Sequence, residues 1–430
     1  MRLSSFAYAA EYWLAPEQFF ARMTRLGDRF LLNLPGSSDA LCITNPDDIR
    51  QVFKAPNTVL QLTPALGRFS PHHVIFGDNT IISMEGQQHA TNRRYVSPPF
   101  HGKALKSYED AMVRLTEKAL ASWPMGEEVS FRDMAGPIAL DIVAEVIFGM
   151  TDPQRVSRAS EAAIAWLESI HSTKLAIQTA WATAMGGKWT GNYDEIRNAR
   201  LAVEALIQDE IDERRQAGDE HSDDVLGILL GVRDDTGEPM PDIKVRESIA
   251  ALLIAGYETT SNSLAWLGNE LVRQPELLDT LTESAQGDDP TWLDATMYET
   301  LRLHPPVVFN LRYVVEPFTF DDGTKIEPGR IIMPFTYAVH RRADLYPEPG
   351  KFLPQRFLEN RPKTSEWIPF GGGTRYCLGA PFAMLELRVI LRTILRHARF
   401  RVADTPIEPP VRMNITLLPK HGGRVVLDPA

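Results

Sequence analysis

Apolar residues recur at helical spacing between about Pro241 and Arg273, where Ile249, Leu252, Leu253 and Gly256 fall into register. That spacing predicts one long helix. It is entered through Pro241-Asp242 and ended by Gln274-Pro275, because proline suits a first helical turn and disfavours helix in the residue before it. Residues 105–235 also read as mostly helix, with expected breaks at Pro124, Gly126, Pro137 and Pro153, and another helix runs from Asp289-Pro290 to His304-Pro305. Extended structure is confined to short pieces. Two apolar runs between Phe30 and Thr44 flank Pro35-Gly36-Ser37-Ser38-Asp39 as a hairpin, and a second hairpin turns at Asp321-Asp322-Gly323. Helix follows from about Pro46. The stretch from Pro56 to Ser83, interrupted by Pro64, Gly67, Pro71 and Gly77, reads as irregular, and Arg342 to Pro369, with Pro347, Pro349, Pro354, Pro362 and Pro369, reads as ordered coil. The fold class predicted is mainly α with small β-sheets, an α+β arrangement whose β-rich part covers about residues 28–65.

One stretch conflicts with the helix that carries it. Ala255-Gly256-Tyr257-Glu258-Thr259-Thr260 places a glycine, which costs about 1 kcal/mol against alanine, and two β-branched threonines mid-helix. A threonine hydroxyl can bond back to the carbonyl four residues earlier, so Thr259 is expected to open the ladder at Ala255 and leave a polar notch in an apolar helix.

Composition narrows the picture. No Gly/Ser-rich or low-complexity stretch divides the 430 residues, so a single domain over 1–430 is expected, without a separate reductase domain. A net charge of −11 argues against nucleic acid and anionic membranes as partners. The N-terminal residues are mildly apolar but meet Glu11 and Glu17 too soon to span a bilayer, so no membrane anchor is expected. Only Cys42 and Cys377 are present, which suits a reducing compartment, and Cys42 reads as a strand residue without a chemical role.

Cys377 is the candidate for chemistry. It closes the run Phe370-Gly371-Gly372-Gly373-Thr374-Arg375-Tyr376-Cys377-Leu378-Gly379, just before Ala380-Pro381-Phe382-Ala383, which reads as the start of a helix. The glycines permit positive φ and a close approach to something flat, Phe370 adds an apolar wall, and Arg375 a fixed cation. Amide donors and the positive end of a helix dipole favour thiolate over thiol, and a thiolate ligates iron. A cysteine-ligated haem is the direct reading.

The pattern Phe370-x-x-Gly373-x-Arg375-x-Cys377-x-Gly379 resembles the haem loop of the cytochrome P450 superfamily, and further motifs extend the resemblance from His89 to Gly379. It implies a haem b (iron protoporphyrin IX) enzyme, an oxidoreductase and monooxygenase with its haem between a long distal helix and a proximal Cys loop and helix. Cofactor contacts implied are Cys377 as axial iron ligand, with His89, Arg93, Arg312, Arg375, Phe370, Gly371, Gly379 and Ala255; His89 and Arg93, one turn apart, resemble the family's His-x-x-x-Arg that reaches the haem propionates. Ala255-Gly256-Tyr257-Glu258-Thr259 resembles the distal motif, with Glu258 and Thr259 as the catalytic acid and alcohol pair. Glu299, Arg302 and Arg356 resemble a buried structural network, although Gln355 replaces the frequent glutamate of Pro-Glu-Arg-Phe. Substrate contacts implied are Leu252, Ala255, Val308, Phe309 and Ile415; Trp166, Trp181 and Trp189 fall where the family has its lid.

The resemblance further implies a cytoplasmic monomer, a ferredoxin-type partner with its reductase as electron source, and insertion of one atom of dioxygen into an apolar small molecule, by hydroxylation or epoxidation. A terpenoid, steroid, fatty acid or polyketide each fits such a pocket. Two rivals use the same cysteine: a non-catalytic haem sensor, and a haem-thiolate enzyme fed by peroxide. The intact acid and alcohol pair argues for dioxygen activation over both.

Overall fold

The computed structural model describes residues 11–12, 14–32, 40–150, 152–184, 191–218, 222–234, 236–359, 363–413 and 415–430. The Pro35 to Asp39 turn, Trp189 and Pro362 lie outside them. The chain divides into two compact units, one of Met1–Leu60, Met112–Ile138 and Glu258–Ala430, the other of Gln61–Ala111 and Ala139–Tyr257.

The first unit holds the sheets. Strand Arg29–Leu32 pairs antiparallel with Ala40–Ile43, as the two apolar runs predict, and Ala40–Ile43 pairs in parallel with Ile331–Pro334, which in turn pairs antiparallel with Arg312–Val314. This sheet buries Ile43, Ile332 and Val314 against Ile49, Val52 and Phe53 of the helix Pro46–Lys54. That helix starts where it does because the Asn45 side chain accepts a bond from the Asp47 amide at 2.8 Å, with Pro46 in the first turn. A three-stranded sheet orders Glu128–Ser130, Arg424–Pro429 and Ala398–Phe400, and a C-terminal hairpin joins Pro410–Met413 to Thr416–Pro419. The second hairpin forms as expected, between Phe318–Thr319 and Lys325–Ile326.

The second unit is helical. Its helix Pro153–His171 is capped by Asp152, whose carboxylate accepts from the Gln154 and Arg155 amides, and Asp194–Ala217 ends on Gly218 in the left-handed region. Buried Arg214 ties this unit internally, donating to Glu210 and Asp224 at 2.9 Å each and to the Phe148 carbonyl at 2.8 Å.

Three expectations change. Pro137 does not end a helix but lies inside Phe131–Ile142, where its missing N–H leaves the Asp133 carbonyl without its usual i+4 partner. A π-helical segment, Val143–Ile147, follows. The stretch expected to be irregular contains the short helices Thr63–Phe69 and His72–Phe76, since Pro64 occupies a first turn, where proline is tolerated. Trp166 is fully buried core, whereas Trp181 is 69% exposed, so the two tryptophans do not share one role. The long helix is continuous from Asp242 to Leu271, its first part in the second unit and its remainder in the first.

Candidate active site

The Cys loop is built by a backbone bond and by glycines. The Cys377 amide donates to the Phe370 carbonyl at 2.9 Å, closing the loop around a 3₁₀ turn at Gly373–Arg375. Gly371 and Gly373 take φ of 69° and 65°, a region open to glycine. Their neighbours differ: a Cβ at Gly371 would stand 2.6 Å from Asn310 Oδ1, whereas one at Gly372 would stand 2.1 Å from the Phe53 ring and one at Gly373 2.0 Å from the Phe53 carbonyl oxygen. Gly379 behaves oppositely. Its φ is −82°, and nothing lies within 4 Å of where its Cβ would be, so the space beside it is open.

Cys377 itself is exposed and stands just before the N-cap of Ala380–His397, with Gly379 as the cap. Cys42 is its contrast, sealed in the sheet, where burial pushes its thiol pKa up and leaves it inert. Arg312 is buried on its strand and donates to Leu311 O at 2.8 Å and to Gly372 O at 3.1 Å, fixing a cation against the loop's backbone. Arg375 is half-buried in the loop itself, and Phe370 packs edge-on to Trp367 and Tyr376. His89, buried, and Arg93, half-buried, stand on Gly86–Val96 in the second unit.

On the long helix Glu258 is buried and Thr259 half-buried, while Ala255 is exposed despite its mid-helix position. Glu258 Oε1 accepts from the Thr416 hydroxyl on the C-terminal hairpin at 2.5 Å. Thr260, adjacent to Thr259, turns its hydroxyl elsewhere, donating at 3.0 Å to Glu386 Oε2 on the helix that follows Cys377. Burial pushes the Glu386 carboxyl up to about 8, with the Thr260 bond pulling weakly the other way, so the side chain is a neutral acid at pH 7. Thr416 and Glu386 escaped the sequence reading. Glu386 left a signal, a carboxylate among Phe382, Leu385, Val389 and Ile390 on an apolar face; Thr416 left none. Among the expected substrate contacts, Val308 is buried, Leu252 and Phe309 are half-buried, and Ile415 is 55% exposed beside the hairpin turn rather than enclosed.

Behind the loop, Glu299 and Arg302 are fully buried and joined by two bonds, of 2.5 and 2.8 Å, and Arg356 donates to Glu299 Oε1 at 3.1 Å. Arg302 also donates to the carbonyls of His340, Pro349 and Lys351. His340 extends the set: its Nε2 accepts from the Ile368 amide, so Nδ1 bears the proton given to the Arg302 carbonyl. Burial and the Arg302 charge lower its pKa well below the usual range, keeping it neutral.

The model of the family described as cytochrome P450 matches residues 7–426. The chain belongs to the cytochrome P450 family. Among its relatives are putative cytochrome P450 137 of Mycobacterium tuberculosis (strain CDC 1551 / Oshkosh), 32% identical over 99% of this chain and 88% of that protein, and putative cytochrome P450 135B1 of Mycobacterium bovis, 30% identical over 93% and 84%. A retinoic-acid-bound cyanobacterial CYP120A1 has the same fold, with a TM-score of 0.81 and 24% identity over 98% of this chain and 96% of that one. As a cytochrome P450 the protein is a haem-thiolate monooxygenase that takes electrons from redox partners and acts with dioxygen on a small molecule. The residues present fit a haem: an exposed thiol before a helix N-terminus, open room at Gly379, and a buried cation at the loop. No helix among the described residues is long and apolar enough to cross a membrane.

Proposed function

We propose that Cys377 is the axial thiolate of a haem b in a single domain covering 1–430, and that the enzyme hydroxylates or epoxidises an apolar small molecule of terpenoid, steroid, fatty-acid or polyketide type. The observation that supports this reading is the Phe370 to Gly379 loop, whose 2.9 Å amide bond and glycines packed on Phe53 leave Cys377 exposed just before a helix N-terminus. Bound haem supplies the binding and reduction of dioxygen. His89, Arg93 and Arg312 would hold its propionates, a task suited to guanidinium and imidazole N–H donors, with Arg375 a further cofactor contact. Cys377 would hold the iron through its sulfur, and a thiolate ligand supplies electron density that favours O–O cleavage. Glu258 carries protons inward and Thr259 holds the recipient by hydrogen bond, as positioned general acid catalysis requires. Electrons come from a ferredoxin-type protein with its reductase, to a monomer in the cytoplasm.

The test is the carbon monoxide spectrum of the reduced protein. Wild type should give the band after which the family is named, and Cys377→Ser should lose it, because an alcohol stays protonated and is a poor soft ligand. Retention of the band in the variant would show that another residue binds the iron. Titrating a lipophilic library against haem absorbance then identifies the substrate class.

A further inference from the structure

The hydrogen bond from Thr416 to Glu258 joins the proposed acid to a hairpin that no motif assigns. Three polar side chains, one helical turn apart on the long helix, dock that hairpin: Glu258 and Asn262 both meet Thr416 Oγ1, and Trp266 Nε1 donates to the Leu417 carbonyl at 3.1 Å. Asn262 Nδ2 donates to Thr416 Oγ1 at 3.1 Å, and its Oδ1 accepts from Arg132 Nε at 2.9 Å, which fixes the amide's orientation, since guanidinium only donates. Thr416 Oγ1 also lies 2.9 Å from the Met413 carbonyl.

A hydroxyl has one proton and two lone pairs, so these partners cannot all be served in one arrangement. Asn262 uses one lone pair. With Glu258 ionised, the hydroxyl proton goes to the carboxylate as a charge-assisted bond. With Glu258 protonated, the carboxyl donates to the second lone pair of Thr416, and the hydroxyl proton turns to the Met413 carbonyl. Either state of the acid is satisfied by a rotation of one hydroxyl, with no heavy atom moved. Without that rotor a buried carboxyl would lose a partner at each proton exchange, a penalty that belongs to unsatisfied buried groups.

We propose that Thr416 is a positioning residue for proton delivery, a hydroxyl rotor that holds the Glu258 carboxyl in place through both of its protonation states. This rests on Glu258 being the acid, and the experiment separates the two claims. Haem-loaded wild type, Thr416→Val, Thr416→Ser, Glu258→Gln and the Thr416→Val/Glu258→Gln double variant are compared without added substrate, using a surrogate ferredoxin and its reductase. One reading is the share of reductant recovered as hydrogen peroxide (two electrons and two protons per dioxygen) rather than water (four and four). The other is the infrared carboxyl stretch that Glu258→Gln removes.

The expected result is a peroxide-to-water ratio raised roughly tenfold in Thr416→Val, the scale of losing a hydrogen bond to a charged group. Thr416→Ser should restore it, the double variant should be no worse than Glu258→Gln, and the Glu258 stretch should shift in Thr416→Val and return in Thr416→Ser. A normal ratio and stretch in Thr416→Val, with a raised ratio in Glu258→Gln, would overturn the role of Thr416 alone. A normal ratio in Glu258→Gln would overturn the acid itself. Should Thr416→Val fail to load haem, Thr416→Ala is read in its place, and a defect that Thr416→Ser does not rescue would mark Thr416 as packing only.

Discussion

Thr259 and Thr260 are neighbours with different partners, and the difference has a measurable consequence. Thr260 would be an inert control for Thr259 if it faced solvent, but its hydroxyl is buried against Glu386, whose Oε1 has no partner among the described residues. Thr260→Val should therefore lower stability by about 1 kcal/mol, the usual net worth of a buried hydrogen bond, without altering the division between peroxide and water. Glu386 adds a pH signature. Its folded pKa of about 8 exceeds the ordinary carboxyl value of 4.5, so between those limits the native state holds a proton that the unfolded chain has lost. Stability contributed by this group is present below pH 4.5 and falls as pH rises toward 8, by at most about 1.4 kcal/mol per unit. Glu386→Gln, which stays neutral, should flatten that slope in melting curves from pH 5 to 8. An unchanged slope would mean that another group sets it.

At the scale of elements, the ion-paired segment behind the Cys loop connects three stretches far apart in sequence. Glu299 bonds the Leu353 amide and Arg356, Arg302 bonds carbonyls between His340 and Lys351, and His340 bonds the Ile368 amide just before the loop. Coil with few ladder bonds is held in shape by these buried charges. Glu299→Ala strands two guanidinium groups, and removing one partner of a buried pair costs roughly 3 to 5 kcal/mol. The expected outcome is low haem content on purification and a lowered melting temperature; normal values of both would show the network to be dispensable. The pair Glu299 and Arg302 was visible as an i, i+3 spacing worth little by itself. Its burial was expected from the resemblance to the family's network rather than from that spacing, and the His340 extension was not legible at all, because His340 lies 38 positions beyond Arg302 and the Ile368 amide 28 beyond His340.

For the whole molecule, haem is part of the folding equilibrium. A ligand that binds the native but not the unfolded chain adds RT ln(1 + [L]/Kd), about 4 kcal/mol at a thousandfold excess over Kd. Extracting the haem should lower the melting temperature, and adding it back should restore both the melting temperature and the Soret absorbance; equal melting of the two forms would mean that the fold does not depend on the group. The net charge of −11 enters at this scale as well. Arg388, a cation on the Cys helix, is paired with Asp294 at 2.9 Å, so its charge is matched within the chain.

Sequence alone determined what is local. The Cys loop, the helix that follows it, the acid and alcohol on adjacent helical positions and the paired strands near the N-terminus are all matters of spacing within a few residues, where backbone geometry decides which side chains share a face. Family membership follows from the same local motifs taken in order. Tertiary structure decided what depends on distant pairing: that Phe53 is what Gly372 and Gly373 must clear, that Thr260 serves Glu386, and that Glu258 is held by Thr416, 158 positions away. It also decided charge state, since a carboxyl such as Glu386 is moved by the water it has lost, and which water a residue loses is fixed only when the rest of the chain has closed over it.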